Sequence, residues 1–172
     1  MQQFLRTFLD IVLWRRGPQD LPASSLLVAL TLAAYVLVGA VQLALLDEAG
    51  VTWFVFLVAD PALLAATVWL LLRLYGHVER FQQTAAAVFG TGALLGIALY
   101  LPLQILVTGL GFGPASPVAQ AAALLLVVVF ALVTGRILKL ATGSNLLTGV
   151  AASLTYFIAM NALVSAVQGT GG

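Results

Sequence analysis

Apolar positions along the chain fall into long blocks separated by short polar breaks. Residues 24–46 carry no charged side chain, and as a helix they would extend ~34 Å against a hydrocarbon core of ~30 Å. Similar runs follow at 52–74, 84–108, 118–137 and 146–167, each long enough to cross a bilayer. The pattern predicts five transmembrane helices. The connections, 47–51, 75–83, 109–117 and 138–145, are short, and the third is rich in Gly and Pro. Consecutive helices should therefore be antiparallel neighbours, with no soluble domain between them. The first run is too long for a signal-peptide core and leads into Asp47 and Glu48 rather than a small-residue cleavage site, so it is expected to be retained. No internal repeat is visible, and an odd number of spans argues against a simple inverted duplication.

Ahead of the first span, Phe4, Phe8, Ile11 and Val12 recur at i, i+4, i+7 and i+8, with Gln3, Arg6, Thr7 and Asp10 on the other face. This predicts an amphipathic helix lying in the membrane interface. Trp14, Arg15 and Arg16 would anchor its end at headgroup depth, and Gly17, Pro18 and Pro22 would turn the chain into the bilayer. The expected fold is all-α and polytopic, with an interfacial segment over 1–22 and a five-helix bundle over 23–172.

Composition agrees: 62% of residues are hydrophobic, 8% are charged, and mean hydropathy is +1.12. Seven Lys or Arg cannot form a basic stripe, so nucleic acid is excluded as a partner. The absence of cysteine removes disulfides and thiolate-ligated metals, and one histidine cannot supply a His-rich site, so neither metal nor cofactor is expected.

The charges matter more for orientation. Arg6, Arg15 and Arg16 precede the first span, Arg73 and Arg80 flank the second connection, and Arg136 and Lys139 flank the fourth. All seven cations thus fall on one side, which the positive-inside rule makes cytoplasmic. The N-terminus is expected inside and the C-terminus outside, in a multi-pass inner-membrane protein. The same cations are candidate contacts for anionic lipid headgroups, although setting topology accounts for them equally well.

Asp60 is the acidic residue embedded within a span. An ionised carboxylate at mid-helix costs on the order of 2.5 to 3.5 kcal/mol on insertion scales, so it should face the bundle, find donors or take a proton. Two readings stand side by side. Asp60 and Pro61 can be the cap and first position of a helix, with 52–59 kinked or re-entrant. Alternatively Asp60 is a proton or cation site beside the Leu57 carbonyl that Pro61 leaves unbonded. Counting rise per residue places Asp60 roughly 12 Å below the outer end of its span. Tyr100 and Asn161 come to similar depths, while Gln104, roughly 6 Å below the end of its span, and Gln42 and Gln120 lie nearer the surface. These groups form either a packing network or a polar cavity around Asp60.

Gly92 and Gly96 form a Gly-x-x-x-Gly pair, and Gly149 with Ser153 repeats the spacing, marking close helix approach within the chain or in self-association. Trp53, Phe54, Phe56, Tyr75, Phe81 and Phe112 sit near span ends as an aromatic belt. Enzyme chemistry finds little support. His77 lies in a connection, away from Ser153 and Ser165, so an embedded serine lacks a base. A carboxylate dyad lacks its second acid, and the stretch from Gly111 to Gly113 lacks the lysine of a phosphate-binding loop.

The layout resembles the Yip1 family of five-span membrane proteins in its small bacterial form. The resemblance is carried by the amphipathic lead-in ending at Arg15, Arg16, Gly17 and Pro18 and by the polar run from Gly76 to Thr84. That run enters a Gly-rich third helix ending around Pro102, and a basic turn from Arg136 to Lys139 precedes the last helix. It implies a non-enzymatic protein that organises membrane or binds membrane-protein partners. Eukaryotic relatives, which associate with small trafficking GTPases, carry a long N-terminal region and tyrosine-glycine motifs that are absent here. A second expectation comes from the residues themselves: a small proton-coupled transporter or channel using Asp60.

Overall fold

The structure, a computed structural model, describes residues 2–45, 53, 55–113 and 116–169. Asp47 and Glu48 of the first connection lie outside them, as does Phe54 of the aromatic belt. Helix α1 (Gln2–Val12) is followed by a single 3₁₀ turn (Pro18–Asp20) and α2 (Ser25–Leu45). A π-helical stretch (Val55–Ala59) leads into α3 (Asp60–Leu74). Then come α4 (Phe81–Leu95), a second π-helical stretch (Gly96–Tyr100), α5 (Leu101–Gly109), α6 (Pro117–Thr142) and α7 (Leu146–Gly169). Among the described residues there is no strand.

Five helical columns are long and apolar enough to span a bilayer: Ser25–Leu45, Phe56–Leu74, Val78–Gly109, Pro117–Thr142 and Leu146–Val167. The chain is an all-α, multi-pass membrane protein. Its exposed surface makes sense only in lipid: Leu26, Leu30, Leu37, Val41 and Leu45 along α2 all point outward.

Two boundaries differ from the sequence expectation. The third column starts at Val78 rather than Thr84, and the fourth runs on to Thr142 instead of stopping at Ile137. Leu138, Ala141 and Thr142 are buried, so the extra turn has packing to hold it. Gly143 then ends the helix in the left-handed region at φ +70°, which glycine adopts without Cβ strain. Arg136 and Lys139 consequently sit on the last turns of α6, not in a loop.

The third column is the axis of the bundle, with every residue from Thr84 to Phe89 buried. Helix α2 packs along α4, α7 along α6, and α3 touches α4, α6 and α7. Glycine makes both main seams. A Cβ on Gly92 would stand 2.8 Å from the Tyr35 ring, and one on Gly96 would strike Val38. The Gly-x-x-x-Gly pair is thus spent inside the chain against α2. At the other seam a Cβ on Gly149 would run into the Gly135 carbonyl, and one on Gly135 would lie 2.7 Å from the Val150 backbone. The partner of Gly149 is therefore a glycine on the neighbouring helix, with Ser153 buried one turn further on.

Both π-helical stretches stop where a proline enters the next helix, at Pro61 and Pro102. Proline cannot donate to the carbonyl four residues back, and its ring collides with it. Widening the turn relieves the collision, as the Leu101 amide shows by bonding to Gly96, five residues back.

Helix α1 is docked on the bundle. Phe8 and Ile11 are buried, with Phe8 in the space left by Gly90 of α4. The stripe expected to face lipid therefore faces protein. Leu5, Leu9 and Leu13 point outward in its place, and Thr7, assigned to the polar face, is buried beside Arg16. At the C-terminal end of α1, the Arg136 guanidinium donates to the carbonyls of Ile11, Trp14 and Arg16. It also lies 5.2 Å from the centre of the Trp14 ring. Gln83 donates to the Leu21 carbonyl at 2.8 Å, and Arg80 to that of Ala141 at 2.9 Å. These bonds gather the N-terminal segment and two connections at one end of the bundle.

Candidate functional site: an intramembrane carboxylate

Asp60 opens α3 with Pro61 directly behind it, the order expected of a helix start. The cap position, however, falls on Ala59, itself helical, so Asp60 is not the cap expected from the sequence, and its side chain is free to point elsewhere. The carboxylate turns into the bundle, where the Tyr35 hydroxyl of α2 donates to Oδ2 at 2.8 Å and the Tyr156 hydroxyl of α7 donates to Oδ1. One donor serves each oxygen, and the three side chains come from the first, second and fifth spans. Tyr156 is only 4% exposed.

Geometry explains how these residues meet. Tyr35 passes α4 because Gly92 carries no Cβ, and its ring then rests on Phe89 with centroids 5.5 Å apart. Tyr156 is held by Phe157, which in turn meets Phe130 of α6 edge-on. The two hydroxyls are thus aimed by packing on separate helix pairs before they bind the carboxylate.

The three groups stand in the wall of a cavity of about 480 Å³, within the size range of small-molecule pockets. Phe56, Tyr100 and Phe130 supply further aromatic wall, and Gln42 a polar group. Gly92 and Gly96 border it, so the glycines that let α2 approach α4 also shape the void. Among the described residues no Lys, Arg or His lines the cavity, and Asp60 takes part in no ion pair.

The other residues singled out from the sequence divide. Tyr100 and Gln42 reach the cavity. Gln104 lies just beyond, with its amide near the Gln42 carbonyl at 3.5 Å. Asn161 points outward and donates to Phe157 on its own helix at 2.9 Å. Tyr35 and Tyr156, the direct partners of Asp60, were not singled out. Depth would have found them: from the span ends at Leu45 and Val167 they lie ~15 and ~16 Å down, close to Asp60.

Of the cations, Arg6, Arg15, Arg73, Arg80 and Lys139 are exposed, with Arg73 above the Trp69 ring at 5.0 Å. Arg16 is exposed as well and pairs with Asp10 at 3.4 Å. Arg136 is committed to α1.

Chemically, the centre accommodates two protonation states with the same atoms. An ionised Asp60 accepts from both hydroxyls. A protonated one donates from one oxygen, and a tyrosine hydroxyl can rotate to accept. Among the described residues no group of three or more His, Cys, Asp or Glu gathers to hold a metal ion. No family model, no curated protein and no solved structure matches this chain.

Proposed function

We propose that the chain is a small proton-coupled carrier in which Asp60 exchanges a proton as solute occupies the intramembrane cavity. The observation that carries this reading is a carboxylate facing a cavity, bound by two hydroxyls and, among the described residues, by no basic side chain. Such a group in a low-dielectric setting needs a proton or a positive ligand to neutralise it, and alternation between the two is coupling. The positive-inside rule orients the protein with α1 on the cytoplasmic face, in a bacterial inner membrane.

The test uses proteoliposomes loaded with a pH-sensitive dye. With small organic cations, anions and neutral solutes supplied in turn on one side, wild type is expected to collapse an imposed pH gradient about tenfold faster than Asp60→Asn with at least one of them, since the asparagine side chain keeps the shape and loses the titrating proton. Equal rates in proteins that are equally monodisperse would sink the carrier reading.

A second reading, a Yip1-like organiser of membrane or of protein partners, is favoured by α1. Its outward Leu5, Leu9 and Leu13 adjoin Arg6, Arg15 and the half-exposed Trp14, the mixture that seats a helix among anionic headgroups. With Trp53 and Trp69 replaced by Phe, brominated lipid should quench Trp14 fluorescence. Quenching should be about twice as strong when the brominated lipid is anionic. Absence of quenching would remove α1 from the lipid interface.

A further inference from the structure

The cavity's wall chemistry narrows what the carrier would hold. Among the described residues, six aromatic rings, of Tyr35, Phe56, Tyr100, Phe130, Tyr156 and Phe157, surround a volume of about 480 Å³ lined by one carboxylate and no basic side chain. Aromatic faces are electron-rich and attract cations, most strongly when both are removed from water. Both carboxylate oxygens already accept a tyrosine hydroxyl. An amine bearing N–H groups competes with those bonds, whereas a cation without donors need only come close.

A bare metal ion fits poorly. Calcium and magnesium take six or more oxygens, and this wall is mostly hydrocarbon. A lipid's choline headgroup brings a phosphate alongside, and no lining residue is there to balance it.

Resting on the carrier reading, we infer that the cavity binds a free lipophilic quaternary cation, caged by the aromatic walls and paired with Asp60. The tyrosines position the carboxylate and keep it hydrogen-bonded while the cation is present. Entry of the cation displaces the proton of Asp60 to bulk water, so charge in the cavity stays balanced.

The full chain in maltoside micelles can be titrated calorimetrically with benzyltrimethylammonium, and in parallel with the uncharged isostere that has carbon in place of nitrogen. Saturable binding is expected for the cation. It should be weaker by about tenfold or more in Asp60→Asn and by about three- to tenfold in Phe130→Leu. The isostere should show no Asp60-dependent binding. Affinity should rise as the pH is raised, with proton release read from the dependence of binding heat on buffer.

Equal binding by wild type and Asp60→Asn, or by cation and isostere, overturns the inference. So does competition by short-chain phosphatidylcholine below its micelle concentration, which would give the site to a headgroup. Cation binding without proton release would overturn the coupling and leave the ligand class standing. Asp60-dependent proton flux with no cation binding would do the reverse.

Discussion

Gly149→Ala should lower the stability of the folded bundle by about 3 kcal/mol, at the upper end of what overpacking costs. The added methyl would meet the Gly135 carbonyl, a backbone atom that no rotamer change can move aside. Helices α6 and α7 must separate, losing close van der Waals contact along the seam, and in lipid no hydrophobic gain draws them together again. Gly135→Ala should behave alike, because its methyl would press on the Val150 backbone. Gly109→Ala is the control. Nothing lies within 4 Å of its position, and the change should stay within about 0.5 kcal/mol. Unfolding midpoints in mixed micelles of increasing denaturing-detergent fraction would measure all three. Similar midpoints for Gly149→Ala and Gly109→Ala would show that the seam is not the close backbone contact described.

The second large effect concerns α1. Arg136→Ala removes a guanidinium that bonds three carbonyls beyond and at the end of that helix. It also removes the partner of the Trp14 ring. Trp14 itself holds φ 65°, a left-handed conformation that costs roughly 1 to 2 kcal/mol for a residue with a Cβ. Arg136 offsets that cost, since hydrogen bonds to a charged group contribute about 1.5 to 3 kcal/mol. Loss of about 2 kcal/mol in docking corresponds to a roughly thirtyfold rise in α1 amide exchange, with the five spans unaffected. Arg136→Lys should not restore protection, because a single ammonium cannot reproduce the guanidinium's fork of donors. Unchanged exchange in Arg136→Ala would remove the clamp from the account.

The spans were legible because an apolar run of bilayer length has one physical solution. Their ends were less so. Burial of Leu138 and Ala141 carried α6 past its cations, and a tertiary contact of that kind leaves no mark on local hydropathy. In α1 the periodicity correctly marked an amphipathic helix, but a stripe of Phe8 and Ile11 reads the same whether its apolar partner is lipid or protein. The site was half visible. Asp60 stands out as an embedded acid, whereas Tyr35 and Tyr156 look like ordinary aromatics until the first and fifth spans are known to flank the second. Asn161 shows the opposite failure, being at suitable depth on the wrong face of its helix.

The seat of α1 has a bearing on how the protein is made. The ribosome produces this helix ahead of the spans that receive it, because Gly90 and Arg136 are synthesised only with the third and fourth spans. The N-terminal segment must therefore wait at the membrane surface, its Phe8 and Ile11 sheltered by headgroups, until most of the chain has been inserted. An element that leaves the ribosome ahead of all five spans is among the last to reach its final position.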